Sequence, residues 1–210
     1  MKRTIKEYDT IVLRPEDLSG QLDFARIFGR QHAVHLEVGS GKGTFLVHQA
    51  KAEPEVDFLG IEWARKYYRH AADRMGRWGL TNVRIIRADA VTFLTEHIRP
   101  GAIDCLHIYF PDPWPKKRHR KRRLLQQANM GVLIGCLRVG GEMRIATDHA
   151  GYFAQIEHVA ADCRDQLEPI AFTRPAGAEE GELTGTNFER KYIRDRRTIN
   201  TLALRRKDTG

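Results

Sequence analysis

The sequence predicts an α/β fold, with one domain built on a mostly parallel sheet and helices on both of its faces. From residue 33 onward, short apolar extended segments alternate with helical segments in five successive units. Such crossovers are right-handed and place helices over the strands that they connect. A chain of 210 residues with 41% hydrophobic residues also suffices for one substantial core. We expect residues 31–210 to form this domain and residues 1–30 to be a short segment without a domain of its own.

Glycine and proline mark the ends of the predicted elements. A glycine cluster precedes a helix that stops before Pro54, Gly79 ends the next helix, and Gly140-Gly141 ends a later one. Helices are predicted at residues 23–28, 44–52, 63–78 and 91–98, on the segment with Met130, Leu133, Ile134 and Leu137 on one face, and from about Asp148. Strands are predicted at residues 33–38, 56–61, 82–87, 103–110, 142–147, 167–172 and 198–204, and residues 11–13 form an apolar patch.

Composition limits the class of protein. The formal net charge of +8 indicates an acidic partner such as nucleic acid. Cys105, Cys136 and Cys163 are odd in number and widely spaced, which argues against a disulfide framework and favours a reducing cytoplasm. The nine histidines show no HExxH spacing, so no metal is predicted, and His107 is expected in the core or at a sheet edge. No apolar run is long enough for a membrane span or signal peptide, so we expect a soluble protein.

Residues 109–123 combine a rigid turn, one acid and a dense block of cations: Tyr-Phe-Pro-Asp-Pro-Trp-Pro, then Lys-Lys-Arg-His-Arg-Lys-Arg-Arg. Alternate prolines fix φ and remove backbone donors, so the chain leaves the strand along a stiff path that presets the directions of Asp112 and Trp114. The basic block, residues 116–123, suits the phosphates of a nucleic acid, although a solvated helix start has the same pattern. Trp114 suits either stacking on a base or packing beside the prolines.

A glycine loop follows the first predicted strand, in the segment Glu-Val-Gly-Ser-Gly-Lys-Gly-Thr at residues 37–44. Gly39 and Gly41 allow a tight turn and a close approach of the backbone to a ligand at a helix N-terminus. A dinucleotide-binding fingerprint would need glycine at residue 44, where threonine stands. A nucleotide-kinase phosphate loop would need glycine at residue 36, and Glu37 would bring an anion into it. Neither pattern is complete.

Acidic residues at three successive strand ends identify a ligand. Glu37, Glu62 and Asp89 lie at the carboxyl ends of the first three predicted strands of the core sheet, where folds of this kind bind ligands. Three acids suit a neutral adenosyl group and a cationic sulfonium, and they suit a triphosphate poorly. The predicted cofactor is therefore S-adenosyl-L-methionine. The alternative is that each acid merely caps the helix that follows it.

At this point the chain resembles the single-chain tRNA (guanine-N7)-methyltransferase family. The resemblance rests on Glu-Val-Gly-Ser-Gly-Lys-Gly, Gly-Ile-Glu at 60–62, Asn-Val-Arg followed by Asp89-Ala90, Phe-Pro-Asp-Pro-Trp-Pro-Lys-Lys-Arg-His, and Thr-Asn-Phe-Glu-Arg-Lys at 186–191. It implies a Rossmann-like class I methyltransferase with a seven-stranded sheet whose last strand is antiparallel. It further implies N7 methylation of guanine 46 in the variable loop of tRNA. The basic N-terminal arm of the family has no counterpart in residues 1–30, which are of mixed charge.

The resemblance also implies site residues, and from the chemistry of the reaction we expect Asp112 to be the central catalytic residue. N7 of guanine carries a lone pair and no proton, so the reaction needs positioning and charge stabilisation more than a general base. No obligate protein partner is expected. The alternatives to a methyltransferase are a nucleotide kinase and a non-enzymatic RNA-binding module. The expected cofactor contacts are Glu37, Gly39, Gly41, Glu62, Asp89, Ala90 and Asp112, and the expected substrate contacts are Lys116, Asp148, Thr186, Asn187, Phe188 and Glu189.

Overall fold

A computed structural model describes residues 4–210, and within them the chain forms one eight-stranded sheet and seven α-helices. The strands are β1 Val12–Leu13, β2 Ala33–Val38, β3 Val56–Ile61, β4 Val83–Ile86, β5 Ile103–Tyr109, β6 Leu137–Thr147, β7 Leu167–Ile170 and β8 Asn200–Arg206. The helices are α1 Phe24–Phe28, α2 Thr44–Ala52, α3 Arg65–Arg77, α4 Ala90–His97, α5 Gln127–Cys136, α6 Ala150–Asp162 and α7 Asn187–Arg194, with short 3₁₀ helices at Pro15–Asp17 and Lys117–Arg122.

The sheet has the order β1-β4-β3-β2-β5-β6-β8-β7; β8 runs antiparallel to both of its neighbours, β6 and β7, and the other described pairings are parallel. The predicted mostly parallel sheet with an antiparallel last strand is confirmed. One strand more than predicted is present, because Val12 and Leu13 pair with Ile85 and Ile86 at the edge of the sheet. Burial of Val12 explains why this two-residue strand forms.

The start of β6 differs from the prediction. The strand begins at Leu137, which we had expected on a helix face, instead of at residue 142. Its pairing with β5 contains a bulge, since Ile103 pairs with Leu137 while Cys105 pairs with Glu142. Gly141 allows this close approach, because a Cβ atom there would lie 2.9 Å from the Arg138 carbonyl oxygen. The two glycines therefore shape a strand instead of separating a helix from one.

Apolar side chains cover both faces of the sheet, as alternation along each strand requires. Leu36 and Leu106 face a core built with α4, α5 and α6, whereas Phe58 faces a second core built with α2 and α3. The connections reverse direction between β2 and β5, so the carboxyl ends of these two strands form a topological switch point, where open α/β sheets bind ligands. Within residues 4–210, none of the helices is long and apolar enough to cross a membrane.

Candidate active site

Two adjoining cavities open at the carboxyl ends of the strands, beside the switch point. The glycine-loop cavity, of about 330 Å³, is lined by the glycine loop at residues 39–42 and by the start of α7. The proline-turn cavity, of about 570 Å³, is lined by the ends of β3 and β4 and, on the proline turn, by residues 109–112 and Trp114. Gly39, Gly41 and Tyr109 line both cavities. Together they have the size of a site for a nucleoside-sized ligand with a second group beside it.

The backbone amides of the glycine loop are engaged inside the protein. The N–H groups of Gly39 and Ser40 donate to the Ile61 carbonyl (2.8 and 3.1 Å), and that of Gly41 donates to Glu62 Oε2 (2.7 Å). Gly39 and Gly41 both have positive φ values, 79° and 54°, which glycine adopts without strain. A phosphate loop needs free amides that point at its anion. The hydrogen bonds of this loop therefore argue against a nucleotide kinase.

Glu37 is a buried acid at the wall of the glycine-loop cavity. Its side chain is 4% exposed, and Oε2 has no hydrogen-bond partner among the described residues. Burial raises the pKa of its carboxyl to about 8, with a smaller contribution from the neighbouring charge of Glu62. A buried carboxylate without a partner is expensive to maintain. The arrangement therefore favours a ligand that brings a positive charge or a hydrogen-bond donor to Glu37.

Glu62 and Asp89 line the proline-turn cavity, and both also stabilise local structure. Glu62 Oε1 accepts from the Ala64 N–H and Oε2 accepts from the glycine loop, both at 2.7 Å. Asp89 caps α4 by accepting from the Thr92 N–H at 3.0 Å, so the capping alternative describes part of its role. A carboxylate oxygen can accept more than one hydrogen bond, so both side chains retain acceptor capacity for a ligand. Ala90, the first residue of α4, lines the same cavity.

Asp112 lies at the mouth of the proline-turn cavity, exposed on a strained segment. Phe110 and Trp114, on either side of it, have left-handed φ values of 52° and 40°. Each precedes a proline, and a bulky residue in this region costs roughly 1–3 kcal/mol. Such strain persists only where the surroundings hold it. The predicted stiff path is therefore realised as a turn that presents one carboxylate to the cavity.

Arg123 stabilises this turn from inside the protein. The sequence did not predict that role. The side chain is only 2% exposed, and its Nε donates to the Pro113 carbonyl at 2.7 Å. Its Nη1 donates to Gln155 at 2.6 Å, and the guanidinium stacks on the Tyr152 ring at 4.6 Å. As the last of eight mainly cationic residues, Arg123 was expected at the surface. Instead its buried guanidinium links the proline turn to α6 through hydrogen bonds to both.

The other cations of the basic block are exposed, on and beside the 3₁₀ helix Lys117–Arg122. Lys121 and Arg122 line the proline-turn cavity; Lys116 is exposed and, among the described cavity walls, contributes to neither site cavity. Trp114 lines the cavity too, half-buried, with the Arg122 guanidinium 5.0 Å from its ring centroid and the His119 ring edge-on at 5.9 Å. Trp114 thus packs against the basic block while one side remains open to a ligand.

The start of α7 closes the glycine-loop cavity. Thr186 caps the helix by accepting from the Glu189 N–H at 3.1 Å, and Asn187 and Phe188 line the cavity from exposed positions. Glu189 is fully buried, and it accepts from the N–H groups of residues 183–185 and from the Thr184 hydroxyl. Its carboxylate therefore holds the segment that carries Thr186, and a direct contact of Glu189 with substrate stays a prediction.

Asp148 follows β6 but caps no helix, because the N-cap of α6 is His149. Its carboxylate accepts from Arg197 at 2.6 Å, and the Arg197 guanidinium lies 4.8 Å from the Tyr192 ring. Asp148 is not among the described residues that line either cavity. The ion pair of Asp148 with Arg197 links the end of β6 to the segment that follows α7. A contact of Asp148 with substrate also stays a prediction.

Several lining residues were missed by the sequence reasoning. Tyr109 closes β5, and its hydroxyl bonds to His107 Nδ1 at 2.9 Å while burial holds its pKa well above the usual value. Tyr67 reaches both cavities from α3, and Lys42 and Lys191 both line the glycine-loop cavity. An aromatic residue at the end of a strand next to a glycine loop was the available signal for Tyr109. The two lysines add positive charge near the start of α7.

Comparisons with known proteins agree with this geometry. A family model described as "Putative methyltransferase" matches residues 31–202. The chain is 37% identical to the tRNA (guanine-N(7)-)-methyltransferase of Rhodopirellula baltica over 88% of its own length and 70% of that protein. It is also 37% identical to the protein of that name from Halorhodospira halophila, over 91% of the chain and 83% of the relative.

Among solved structures, the fold is similar to that of the 16S rRNA methyltransferase KamB, with a TM-score of 0.64. The alignment covers 88% of this chain and 93% of KamB, at 15% sequence identity. At that identity the likeness concerns the fold alone. It matches the class I methyltransferase sheet that the sequence predicts.

Proposed function

Because the chain belongs to the tRNA (guanine-N7)-methyltransferase family, we propose that it methylates N7 of a guanine in tRNA, at position 46 of the variable loop, with S-adenosyl-L-methionine as the methyl donor. The chain is an enzyme of the methyltransferase class. The position of the guanine and the identity of the cofactor are the finer parts of the proposal. The match of the family model to residues 31–202 supports assigning catalysis to the single domain predicted at residues 31–210.

The unpartnered oxygen of Glu37 carries the cofactor assignment. When bound, S-adenosyl-L-methionine supplies an electrophilic methyl group on a sulfonium, together with a cationic ammonium. In the proposal, Glu37 meets this positive end of the cofactor, which would satisfy its orphaned Oε2 and favour its ionised form. A phosphate-rich ligand would place negative charge beside the same carboxylate, so it fits the cavity poorly.

The acids of the proline-turn cavity suit the adenosyl part. Glu62 follows β3, where such folds bind ribose hydroxyls, and its oxygens retain acceptor capacity beside the glycine loop. Asp89 and Ala90 lie between the end of β4 and the start of α4. An acid at this position can accept a hydrogen bond from the adenine amino group. In this arrangement Gly39 and Gly41 give the ligand close access to the backbone.

Asp112 is proposed to orient the guanine. N7 has an in-plane lone pair and no proton, so no general base is required of the protein. The carboxylate of Asp112 is held on a strained turn at the cavity mouth, where it can accept from the N–H donors of the base. As positive charge develops on the ring, the same carboxylate stabilises it, and its fixed position avoids reorganisation at the moment of transfer.

The cations around the cavities are proposed to bind the tRNA backbone. Lys121 and Arg122 line the proline-turn cavity, Lys191 lines the other, and Lys116 begins the exposed basic block. Phosphates on both sides of a target base would meet this rim. Thr186, Asn187, Phe188, Glu189 and Asp148 are proposed to contact the substrate nucleotide; Glu189 also holds the segment that carries Thr186. A cytoplasmic location and the lack of an obligate protein partner stay predictions of the sequence.

A thermal-shift experiment separates this proposal from the kinase alternative. S-adenosylhomocysteine should raise the melting temperature by preferential binding to the native chain, whereas ATP with Mg²⁺ should leave it unchanged. Stabilisation by ATP and Mg²⁺ without any effect of S-adenosylhomocysteine would contradict the proposal.

A further inference from the structure

A second cluster of chemically active side chains lies on the same sheet, next to the glycine-loop cavity, since Tyr109 and Phe45 line that cavity and contact His107. His35 of β2 and Cys105 and His107 of β5 each offer one ligand atom, and these atoms all lie within 4.8 Å of one another. We propose that His35, Cys105 and His107 form a zinc-binding site. Two imidazole nitrogens and one thiolate are a donor set that zinc prefers in proteins.

Strand register brings the three residues together. His35 and Cys105 are direct partners in the parallel pairing of β2 with β5, and His107 is two residues further along β5, on the same face. The two histidines are 72 positions apart in sequence. Sequence spacing alone therefore predicted no metal, since the usual short ligand motifs are missing from both strands.

The distance between the histidines fits a shared ion. His35 Nδ1 and His107 Nε2 are 3.3 Å apart and share a hydrogen bond, which an ion between them would replace. Two nitrogens at about 2.0–2.1 Å from one tetrahedral zinc are separated by about 3.3 Å. His107 is buried and His35 is half-buried, and a neutral imidazole offers one ring nitrogen as a metal ligand.

His107 also has the outer partner that zinc ligands need. Its Nδ1 bonds to the Tyr109 hydroxyl at 2.9 Å. When the Nδ1 proton is donated to the Tyr109 oxygen, Nε2 presents its lone pair to the ion. The Phe45 ring, 4.7 Å away, packs against the imidazole and fixes its plane. The ring is thus oriented before any ion arrives.

A third cavity, of about 230 Å³, gives access to the cluster. His35 and His107 line it together with Gln49, Glu53 and Arg144. Gln49 is 1% exposed, and its amide nitrogen has no hydrogen-bond partner in the described part of the chain. A polar side chain left unsatisfied at a cavity wall indicates a polar occupant of that cavity.

Both cationic and anionic side chains surround the cluster. Arg144 makes two hydrogen bonds to Glu142 Oε2, at 3.0 and 2.8 Å, and Arg205 pairs with the same carboxylate. Arg174, also at the cavity wall, donates to the Glu179 carbonyl. Glu53 supplies a carboxylate at the same wall. Zinc binds the thiolate, so the Cys105 thiol would release its proton when the ion binds.

The test uses the full chain, stripped of metal with a chelator. Titration with Zn²⁺ against a chromophoric chelator should give about one tightly bound ion per chain, and Zn²⁺ should raise the melting temperature. Titration with Co²⁺ should produce a thiolate-to-metal charge-transfer absorption. Cys105→Ser should remove this absorption and weaken zinc binding at least about tenfold.

Cys136→Ser is the matched control. Both cysteines are 3% exposed, and burial raises both thiol pKa values to about 12, but Cys136 lies in α5 on the opposite face. It should leave the absorption and the zinc affinity unchanged. If Cys105→Ser does not fold, His35→Gln must weaken zinc binding instead. Absence of stoichiometric zinc binding by the wild type, or cobalt absorption that survives Cys105→Ser, would overturn the proposal.

Discussion

Glu37→Gln removes the ionisation of the most unfavourably buried acid of the site while keeping its size. Burial raises the pKa of Glu37 from 4.5 to about 8. Because the pKa is higher in the folded state, the stability that this group contributes is complete below pH 4.5 and is lost as pH rises through about 8. A shift of this size corresponds to at most about 5 kcal/mol at alkaline pH. The substitution should avoid that loss.

Urea denaturation over a range of pH measures the effect. The wild type and Glu37→Gln should have similar free energies of unfolding near about pH 4.5, and the variant should be several kcal/mol more stable at about pH 9. Glu157→Gln, at an exposed position of α6, is the control and should follow the wild type throughout.

The same variant should bind the cofactor more weakly. In the wild type, affinity for the cationic S-adenosyl-L-methionine should rise with pH as Glu37 becomes ionised, and calorimetry below about pH 8 should detect proton release on binding. Glu37→Gln should lose both features while gaining stability. If stability and cofactor affinity had the same pH dependence in both proteins, the reasoning about Glu37 would be wrong.

Three further substitutions test the rest of the site. Asp112→Ala should lower kcat by roughly 10²-fold with the fold intact, and near-normal turnover in a labelled-methyl assay would remove Asp112 from its proposed role. Arg123→Ala should destabilise the chain by roughly 2–4 kcal/mol in urea denaturation, because it leaves Pro113 and Gln155 without their donor, whereas Arg122→Ala at the exposed neighbouring position should change stability little. Lys116→Gln should reduce the slope of log affinity for tRNA against log salt concentration by roughly 0.7–0.9, the value for one phosphate contact. The control is Arg164→Gln, at an exposed position. A Lys116→Gln slope that is unchanged and equal to that of the control would argue against the contact.

Local pattern was sufficient for the elements that surround the switch point. β2, α2 and β3 have the predicted bounds, because strong apolar patterns there are bounded by glycine or proline. The residues predicted at the strand ends, Glu37, Glu62, Asp89 and Asp112, do line two adjoining cavities. In a parallel sheet all strand ends meet at one edge, so this convergence follows from topology.

Long-range pairing determined what the sequence could not predict. The bulge that starts β6 at Leu137 depends on its register with β5. Likewise, His35 meets Cys105 and His107 only because β2 pairs with β5 at one register. A run of cations indicates exposure, so the burial of Arg123 under the proline turn required the position of α6 to be known.

The central claim is that this enzyme methylates N7 of one guanine in tRNA. The most direct measurement incubates an unmodified tRNA transcript with labelled S-adenosyl-L-methionine and maps the product nucleotide. A second transcript with 7-deazaguanosine at position 46 has CH in place of N7 and serves as the control. We predict 7-methylguanosine at position 46 of the first transcript and no label in the second. Equal labelling of both transcripts, or label on another atom or base, would contradict the account.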